Sequence, residues 1–263
     1  MPATEGRPRP VTLSSDFDSH YPAAMRGVLA RRGIERIHDV THELPRQDVR
    51  QSAFWLAQLL PYFPPAVHCV VVDPGVGTDR DVLAVRAGGH ALVGPDNGVL
   101  WPTARWLAHP AHPEAYAFDH VEPASATFHG RDVFAPLAAA VATLGVTRFP
   151  RLPTLEPAAD PEALHLPAAR VDDTGVEATV LAVDGFGNVI TSADGEVLAG
   201  RVGDRVRVDG RLVPVTRRYA DVSPGEALVT VGSHGHLELA VNRGRGVDAF
   251  DVAVGADVRI GWS

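Results

Sequence analysis

The sequence predicts an α/β protein, with an N-terminal α/β/α sandwich domain built on a mostly parallel sheet and a small C-terminal β-barrel domain. Two observations predict this architecture. In the first 150 residues, short β-branched runs alternate with segments whose apolar residues recur at helical spacing, which is typical of α/β layers. After about residue 175, the chain consists of short alternating runs separated by Gly, Asp and Ser, which is typical of an all-β domain.

The individual elements follow from these patterns. In the first domain, β-branched runs predict strands at residues 11–14, 36–40, 67–72, 82–87 and 91–93. Helical spacing of apolar residues predicts helices at residues 22–32, 49–60 and 132–144. The barrel strands are expected in the runs VEATVLAVDG, GDRVRVDG, RLVPVTRRYADV, EALVTVG, HLELAVN and DVAVGADVRIGW.

The boundary between the two domains is expected in a stretch rich in Pro and Ala. Residues 152–167 read LPTLEPAADPEALHLP and contain no β-run, which predicts a linker. The predicted domains are therefore residues 1–165, including most of this linker, and residues 168–263.

The composition excludes several classes of partner and cofactor. The net charge is −8 and all 24 basic residues are arginines spread along the chain, which argues against nucleic acid as a partner. The absence of lysine rules out Schiff-base chemistry and pyridoxal phosphate anchoring, because both need a side-chain amine.

Location is predicted from the cysteine and from hydropathy. Cys69 is the only cysteine and lies in the apolar run HCVVV, so we expect a buried thiol, no disulfide within the chain and a cytoplasmic setting. The N-terminus MPATEGRPRP lacks an apolar stretch and no segment approaches 18 uninterrupted apolar residues, so neither a signal peptide nor a membrane span is expected.

The stretch VVVDPGVGTDRD, residues 70–81, ends an apolar run on a carboxylate, a glycine-containing turn and a guanidinium. A dinucleotide fingerprint would need a third glycine where Arg80 stands, and a Walker loop would need a lysine, so neither phosphate-binding motif fits. Asp73 and Arg80 could form a simple turn salt bridge or belong to a site.

Two further segments of the first domain admit both structural and functional interpretations. Asp16 follows the first predicted strand, where it could cap a helix or accept two hydrogen bonds from a diol. His129, in FHGRD, precedes a helix expected to begin near Asp132 and could be structural or face a ligand.

In the second domain, VDGFGN, residues 183–188, is typical of a hairpin turn. The run GSHGH would place His234 and His236 on one face of a strand, but no third ligand is marked by spacing. The same holds for HDVTH and HPAH, so no metal site is predicted.

The order of the motifs along the chain is more informative than any single motif. This order is SSDF, THELPRQDVRQSAFWLAQ, VVVDPGVGTDRD, GPDNGVL, FHGRDVFAPLAA, VDGFGNVITS and GSHGHLELAVNRG. Together they resemble the S-adenosylmethionine (SAM) hydroxide adenosyltransferases, also called SAM hydrolases, which are relatives of the SAM-dependent fluorinase and chlorinase. The resemblance spans about residues 11–245.

The resemblance implies a homotrimer with SAM held between neighbouring subunits and converted with water to adenosine and L-methionine, without a cofactor. It implies that Asp73, Arg80 and His129 handle the water and that Asp16 receives the ribose hydroxyls. It also implies substrate contacts from the barrel, at Asp184, Phe186, Asn188, Ser233 and His234. Two departures from the family pattern concern Asp18, where Gly is usual, and His234, where Ser or Arg is frequent.

Two alternatives stay open at this point. A chlorinase-like SAM halogenase would typically carry tyrosine where Asp73 stands, and a carboxylate there would repel a halide. A SAM- or adenosine-binding protein without turnover would not need Arg80 and His129. We therefore expect a SAM hydrolase.

Overall fold

The computed structural model of the chain describes residues 7–18, 20–119 and 124–262. Residues 1–6, which belong to the N-terminal segment interpreted above, lie outside the described residues. The chain divides into two compact units, Met1–His165 and Leu166–Ser263. No helix in the described part of the chain is long and apolar enough to cross a bilayer.

The first unit contains a mixed sheet with helices on both faces. Its strands are β1 (Val11–Ser15), β2 (Ile37–Thr41), β3 (Val67–Val71), β4 (Val82–Ala87), β5 (His90–Pro95), β6 (Glu114–Phe118) and β7 (Leu155–Pro157). Its helices are α1 (His20–Arg31), α2 (Val49–Leu59), α3 (Trp101–Ala108) and α4 (Ala135–Leu144).

In the described residues, the strands of this sheet lie in the order β2-β1-β3-β5-β4-β6-β7. The pairs β1–β2, β1–β3 and β3–β5 are parallel, whereas β4 is antiparallel to both β5 and β6, and β7 is antiparallel to β6. Five of these seven strands consequently run in the same direction, which confirms the predicted mostly parallel sheet.

Alternating side chains of the central strands build two cores. Cys69 faces a core with Met25 of α1 and Leu137 of α4, whereas Val70 faces a second core with Leu56 of α2. Strands buried on both faces read as continuous apolar runs, which is why residues 67–72 are almost wholly apolar. The predicted α/β/α sandwich is confirmed, and burial raises the pKa of Cys69 to about 12.

The sequence patterns missed three elements of this unit. Helix α3 spans only eight residues, which is too short for a clear period, and β6 (EAYAF) lacks β-branched residues. The stretch predicted as a linker contains β7, where Leu155 pairs with Phe118, so the expectation of no strand there is wrong. Its Pro157 is tolerated because β7 is an edge strand of the described sheet.

The second unit is a small antiparallel barrel, as predicted. Its strands are β8 (Arg170–Asp172), β9 (Gly175–Val183), β10 (Val189–Asp194), β11 (Arg205–Val208), β12 (Arg211–Pro214), β13 (Ala227–Val231), β14 (His236–Val241) and β15 (Asp257–Trp262), with one short helix, α5 (Gly246–Phe250). The sheet runs in the order β12-β11-β15-β9-β10-β14-β13, and β8 pairs with β9. A bridge between Val215 and Val229 nearly closes it, because the Thr216 amide donates to the Val229 carbonyl at 2.9 Å.

Candidate active site

The predicted polar residues of the first unit meet at one edge of its sheet. Strands β1 and β3 are parallel neighbours, with Ser15 opposite Val71, so Asp16 and Asp73 leave the sheet at the same edge. This is the edge at which α/β sheets commonly bind ligands. A cavity of about 300 Å³ opens there, and its lining includes Asp16, Phe17, Tyr21, Asp73, Phe128 and His129.

Asp73, Arg80 and His129 form one hydrogen-bonded cluster. The Arg80 Nε donates to Asp73 Oδ1 at 2.9 Å, and Nη2 donates to Oδ2 of the same carboxylate. The same Nη2 lies 3.0 Å from His129 Nδ1. The side chains of Arg80 and Asp73 are only 10% and 5% exposed. This buried, two-pronged pair differs from the exposed turn salt bridge that was the simpler alternative.

The contacts of Arg80 fix the tautomer of His129. A guanidinium has no acceptor atom, so Nδ1 of His129 must accept the hydrogen bond. In the neutral ring, the proton is therefore on Nε2. Of the three residues, Asp73 and His129 line the cavity. Arg80 and His129 line a second cavity of about 610 Å³.

The glycine-containing loop explains how a strand end and an arginine seven positions later come together. The Thr78 hydroxyl donates to the Gly75 carbonyl at 2.7 Å, which closes a tight turn. Gly77 has a φ of +81°, a conformation that side chains disfavour. A Cβ on Gly75 would lie 3.5 Å from Arg80 Cγ, so the guanidinium folds closely over the turn. The turn in this loop therefore places the Arg80 side chain against Asp73.

His129 lies directly before a helix, as predicted, but the helix begins earlier than expected. A π-helical turn, Gly130–Phe134, precedes α4, so the helical segment starts at Gly130 and not near Asp132. A Cβ on Gly130 would lie 3.1 Å from both Met25 Sδ and the Phe128 ring, which explains the glycine. The Asp132 carboxylate accepts from the Ser125 amide at 3.0 Å and so ties the preceding loop to the helix.

Asp16 belongs to a partly aromatic wall of the cavity. Its Oδ2 accepts from the Gln47 amide at 2.7 Å, so it does not cap α1. Phe17, Tyr21 and Phe128 contact one another edge to face, with centroid distances of 5.9, 5.0 and 6.3 Å. Sequence reasoning missed Tyr21 and Phe128 as site residues. Phe128 is the first residue of the FHGRD motif, and the only signal for Tyr21 was its proximity to SSDF.

In the barrel, the segment 183–188 forms the predicted hairpin turn between β9 and β10. The Asp184 carboxylate accepts from the backbone amides of Phe186 and Asn188 at 2.9 and 2.8 Å, and from Asn188 Nδ2 at 2.9 Å. Asn188 is buried, whereas the Phe186 ring is 80% exposed at the tip. Asp184 thus organises the turn that presents Phe186.

Ser233 and His234 lie in the turn before β14, which begins at His236. The expectation that His234 and His236 share one face of a strand is therefore wrong. His234 Nδ1 accepts from the His236 amide at 3.3 Å, and its Nε2 lies 3.3 Å from Glu238 Oε2. Glu238 is 2% exposed and also accepts from the Tyr219 hydroxyl at 2.7 Å. Burial and this carboxylate raise the pKa of Tyr219. Sequence reasoning missed Tyr219 and Glu238.

No metal centre is formed by the described residues: no group of three or more His, Cys, Asp or Glu side chains among them is placed to hold a metal ion. The histidine pairs of HDVTH, HPAH and GSHGH accordingly have no third ligand of these types in that part of the chain.

Comparison with known proteins decides the family. The family model described as "SAM hydroxide adenosyltransferase N-terminal domain" matches residues 11–148, and the corresponding C-terminal domain model matches residues 178–259. The chain belongs to the SAM hydroxide adenosyltransferase family. The first model covers Asp16 and the Asp73–Arg80–His129 cluster, and the second covers the hairpin with Phe186 and the turn with Ser233.

Proteins from three organisms are similar to almost the whole chain. A Salinispora tropica protein named (R)-S-adenosyl-L-methionine hydrolase is 44% identical, over 95% of this chain and 97% of its own. A protein of the same name from Thermus thermophilus is 42% identical, over 96% of this chain and 99% of its own. The crystal structure of an uncharacterised conserved protein from Thermotoga maritima has a TM-score of 0.83 and 32% identity, and the match covers 95% of this chain and 99% of that one.

Proposed function

We propose that this chain is a SAM hydrolase, which converts S-adenosyl-L-methionine and water into adenosine and L-methionine. The names of the relatives from Salinispora and Thermus support this activity. The observation that carries it within this chain is the buried cluster of Asp73, Arg80 and His129, which lies beside Asp16 at one cavity. The reaction needs a carboxylate that binds the ribose hydroxyls and a charged cluster that binds the attacking water.

The chemistry places its demand on the nucleophile. The oxygen of water forms a bond to ribose C5′ while the C5′–S bond breaks. The electron pair of the C5′–S bond stays on sulfur, so methionine leaves as a neutral thioether. One proton of the water is released. Because the leaving group needs no acid, catalysis consists in positioning the water behind C5′ and favouring its deprotonation.

The proposed roles follow from the contacts within the cluster. Asp73 and His129 face the cavity and contact the water, and Asp73 holds Arg80 through both carboxylate oxygens. Arg80 orients the water-binding groups, and its fixed cation stabilises the hydroxide that develops beside them. The side chains of Arg80 and Asp73 are largely buried, which strengthens this electrostatic interaction relative to the same interaction in water.

The substrate contacts are proposed by family membership. Asp16 would accept hydrogen bonds from the ribose hydroxyls, with Phe17, Tyr21 and Phe128 beside the adenosyl group. Asp184, Phe186 and Asn188 would contribute the barrel contacts, and Ser233 with His234 would lie at the amino acid end. We further propose a homotrimer with SAM between neighbouring subunits and no cofactor. We also propose a cytoplasmic location, which the free, buried thiol of Cys69 supports.

The stereochemistry at sulfur is part of the proposal. The names of the relatives specify the (R) form, and we infer the same preference here. The two epimers exchange the positions of the methyl group and the lone pair at a pyramidal sulfur, so a site shaped for one arrangement discriminates against the other. Incubation with each epimer separately should give adenosine faster from the (R) form. Equal rates would contradict this preference.

The decisive experiment is incubation with SAM in 18O-labelled water, with and without chloride, followed by mass spectrometry. The expected products are methionine and adenosine that carries 18O at its 5′ oxygen. Chlorodeoxyadenosine would assign the protein to the halogenases, and bound SAM without product would leave a binding protein. Sedimentation analysis tests the trimer, and a monomer that retains full activity would overturn the proposed interface site.

A further inference from the structure

His42, which directly follows β2, is hydrogen-bonded to the residue before Asp16. The Ser15 hydroxyl donates to the Phe17 carbonyl at 2.9 Å, and its oxygen lies 2.7 Å from His42 Nδ1. A hydroxyl has one proton, which Phe17 already receives, so Nδ1 must donate to the Ser15 oxygen. Ser15 is buried, and the imidazole thereby fixes the hydroxyl that shapes the Ser15–Asp16–Phe17 turn.

The other side of this imidazole faces a carboxylate to which Nε2 makes no hydrogen bond. Nε2 of His42 lies 3.3 Å from Asp39 Oδ1, and Arg26 Nη1 lies 3.0 Å from Asp39 Oδ2. The chain of contacts runs from α1 through β2 to the end of β1. Nδ1 of His42 therefore contacts the Ser15 turn, and Nε2 faces the Asp39 carboxylate, which Arg26 holds in place.

The loop that begins with His42 also holds Asp16 directly. The Leu44 amide donates to the Ser15 carbonyl at 3.2 Å, and the Gln47 amide donates to Asp16 Oδ2 at 2.7 Å. Gln47 has a φ of +58°, which a non-glycine residue rarely adopts. Such a conformation persists where the surrounding structure requires it, often at functional sites. Here it aims an amide at the Asp16 carboxylate.

We propose that His42 is a positioning residue that orients Asp16 towards a vicinal diol of a nucleoside ligand. The inference rests on the proposed function, because it takes the ribose as the group that Asp16 binds. His42 fixes the Ser15 turn and the start of the loop, the Gln47 amide occupies one carboxylate oxygen, and the carboxylate then faces the cavity in one orientation. A residue acting in this way sets selectivity for the diol more than overall affinity.

The test compares binding of adenosine and 2′-deoxyadenosine by calorimetry, for the full chain and its variants. The unmodified protein should prefer adenosine, and His42→Ala should reduce that preference by about tenfold, the upper end of what one lost hydrogen bond contributes. His42→Asn, whose side-chain amide can replace the Nδ1 donor, should restore most of it. His38→Ala, at an exposed histidine of β2, is the matched control and should leave the preference unchanged.

A double variant makes the test specific. Ser15→Ala removes the acceptor of the same hydrogen bond, so Ser15→Ala with His42→Ala should be no less selective than Ser15→Ala alone. Ser15→Ala alone gives the readout if His42→Ala does not fold. Equal loss of affinity for both nucleosides, or no initial preference, would overturn the inference. Because the measurement needs no turnover, diol selectivity without SAM cleavage would overturn the hydrolase proposal and leave this one standing.

Discussion

The Arg80 guanidinium binds the Asp73 carboxylate through two of its nitrogens, Nε to Oδ1 at 2.9 Å and Nη2 to Oδ2, while Nη2 also contacts His129. One arginine therefore holds both groups that face the cavity. Planar guanidinium geometry permits this arrangement, which an ammonium cannot reproduce.

The first prediction concerns Arg80. Arg80→Ala should lower kcat by about 100-fold or more, the effect of losing a preorganised electrostatic group. Arg80→Lys keeps the charge but not the fork, so it should recover only part of that loss. The unpaired Asp73 should also cost about 3 kcal/mol of unfolding free energy. Steady-state kinetics and urea denaturation measure both effects.

The control for this prediction is Arg86→Ala, because Arg86 pairs with Glu114 at the surface of the same sheet. An exposed pair contributes about 1 kcal/mol at most, and kcat should not change. Full turnover by Arg80→Ala would show that the guanidinium takes no part in catalysis.

The second prediction separates the two ring nitrogens of His129. Nδ1 accepts from Arg80, a role that the side-chain oxygen of asparagine can take over, whereas alanine offers no acceptor. His129→Asn should therefore retain stability close to that of the unmodified protein, and His129→Ala should lose about 1–3 kcal/mol. Both should lose kcat. If His129→Asn turns over SAM normally, the imidazole itself has no catalytic role.

Sequence patterns predicted the architecture of the first unit because local chemistry determines it. A buried parallel strand is apolar throughout, and the loop after β3 needs its glycines to reverse direction. The contact between Arg80 and His129 joins residues 49 positions apart, so no local pattern contains it. The order of the motifs pointed to these residues only through resemblance to a family.

Glu238 illustrates what local patterns hide. In the strand HLELAV it occupies a position that reads as the polar, outward face of an alternating strand, yet it is buried. Its partners are Tyr219 and His234, which lie outside that strand and supply the donors that make burial possible. Only the folded barrel brings these three side chains together.

The third prediction tests this buried carboxylate through Gly232. A Cβ on Gly232 would lie 2.4 Å from His234 Cε1 and 2.6 Å from Glu238 Oε2, closer than real contacts allow. Gly232→Ala should therefore displace His234 from Glu238 and cost about 1–3 kcal/mol in urea denaturation. Gly185→Ala, which meets no atom within 4 Å, is the control in the same unit. Equal stability of the two variants would contradict the packing described for Gly232.

The fourth prediction concerns acid stability. His68 is buried, with Nδ1 2.8 Å from Thr12 Oγ1 and Nε2 2.9 Å from His90 Nδ1. Burial, and then the neighbouring His90, lower the pKa of His68 from 6.5 to about 3. In the unfolded chain His68 is therefore protonated as the pH falls below 6.5, whereas in the folded protein it is protonated only near pH 3. The stability contributed by neutral His68 is complete above pH 6.5 and is lost progressively as the pH falls towards 3.

At pH 5 this linkage should amount to about 2 kcal/mol. Urea denaturation at pH 7.5 and 5.0 measures it, and His68→Gln should lose less stability between these two pH values than the unmodified protein. His112→Gln, at an exposed histidine, should lose as much as the unmodified protein. A His68→Gln variant with the same acid loss would show that His68 is not the sensitive group.

The pairing of Ser15 with Val71 has a consequence for how the site can change. Neighbouring strands of a sheet are about 4.8 Å apart, and a backbone hydrogen-bond ladder maintains that spacing. Asp16 and Asp73 follow two such strands, so the separation between the proposed ribose anchor and the water-handling cluster is a property of the ladder. Substitutions in the surrounding loops can tune affinity or selectivity, whereas moving the nucleophile relative to the sugar would require a shift of strand register. The proposed reaction geometry is thereby protected against substitutions in those loops.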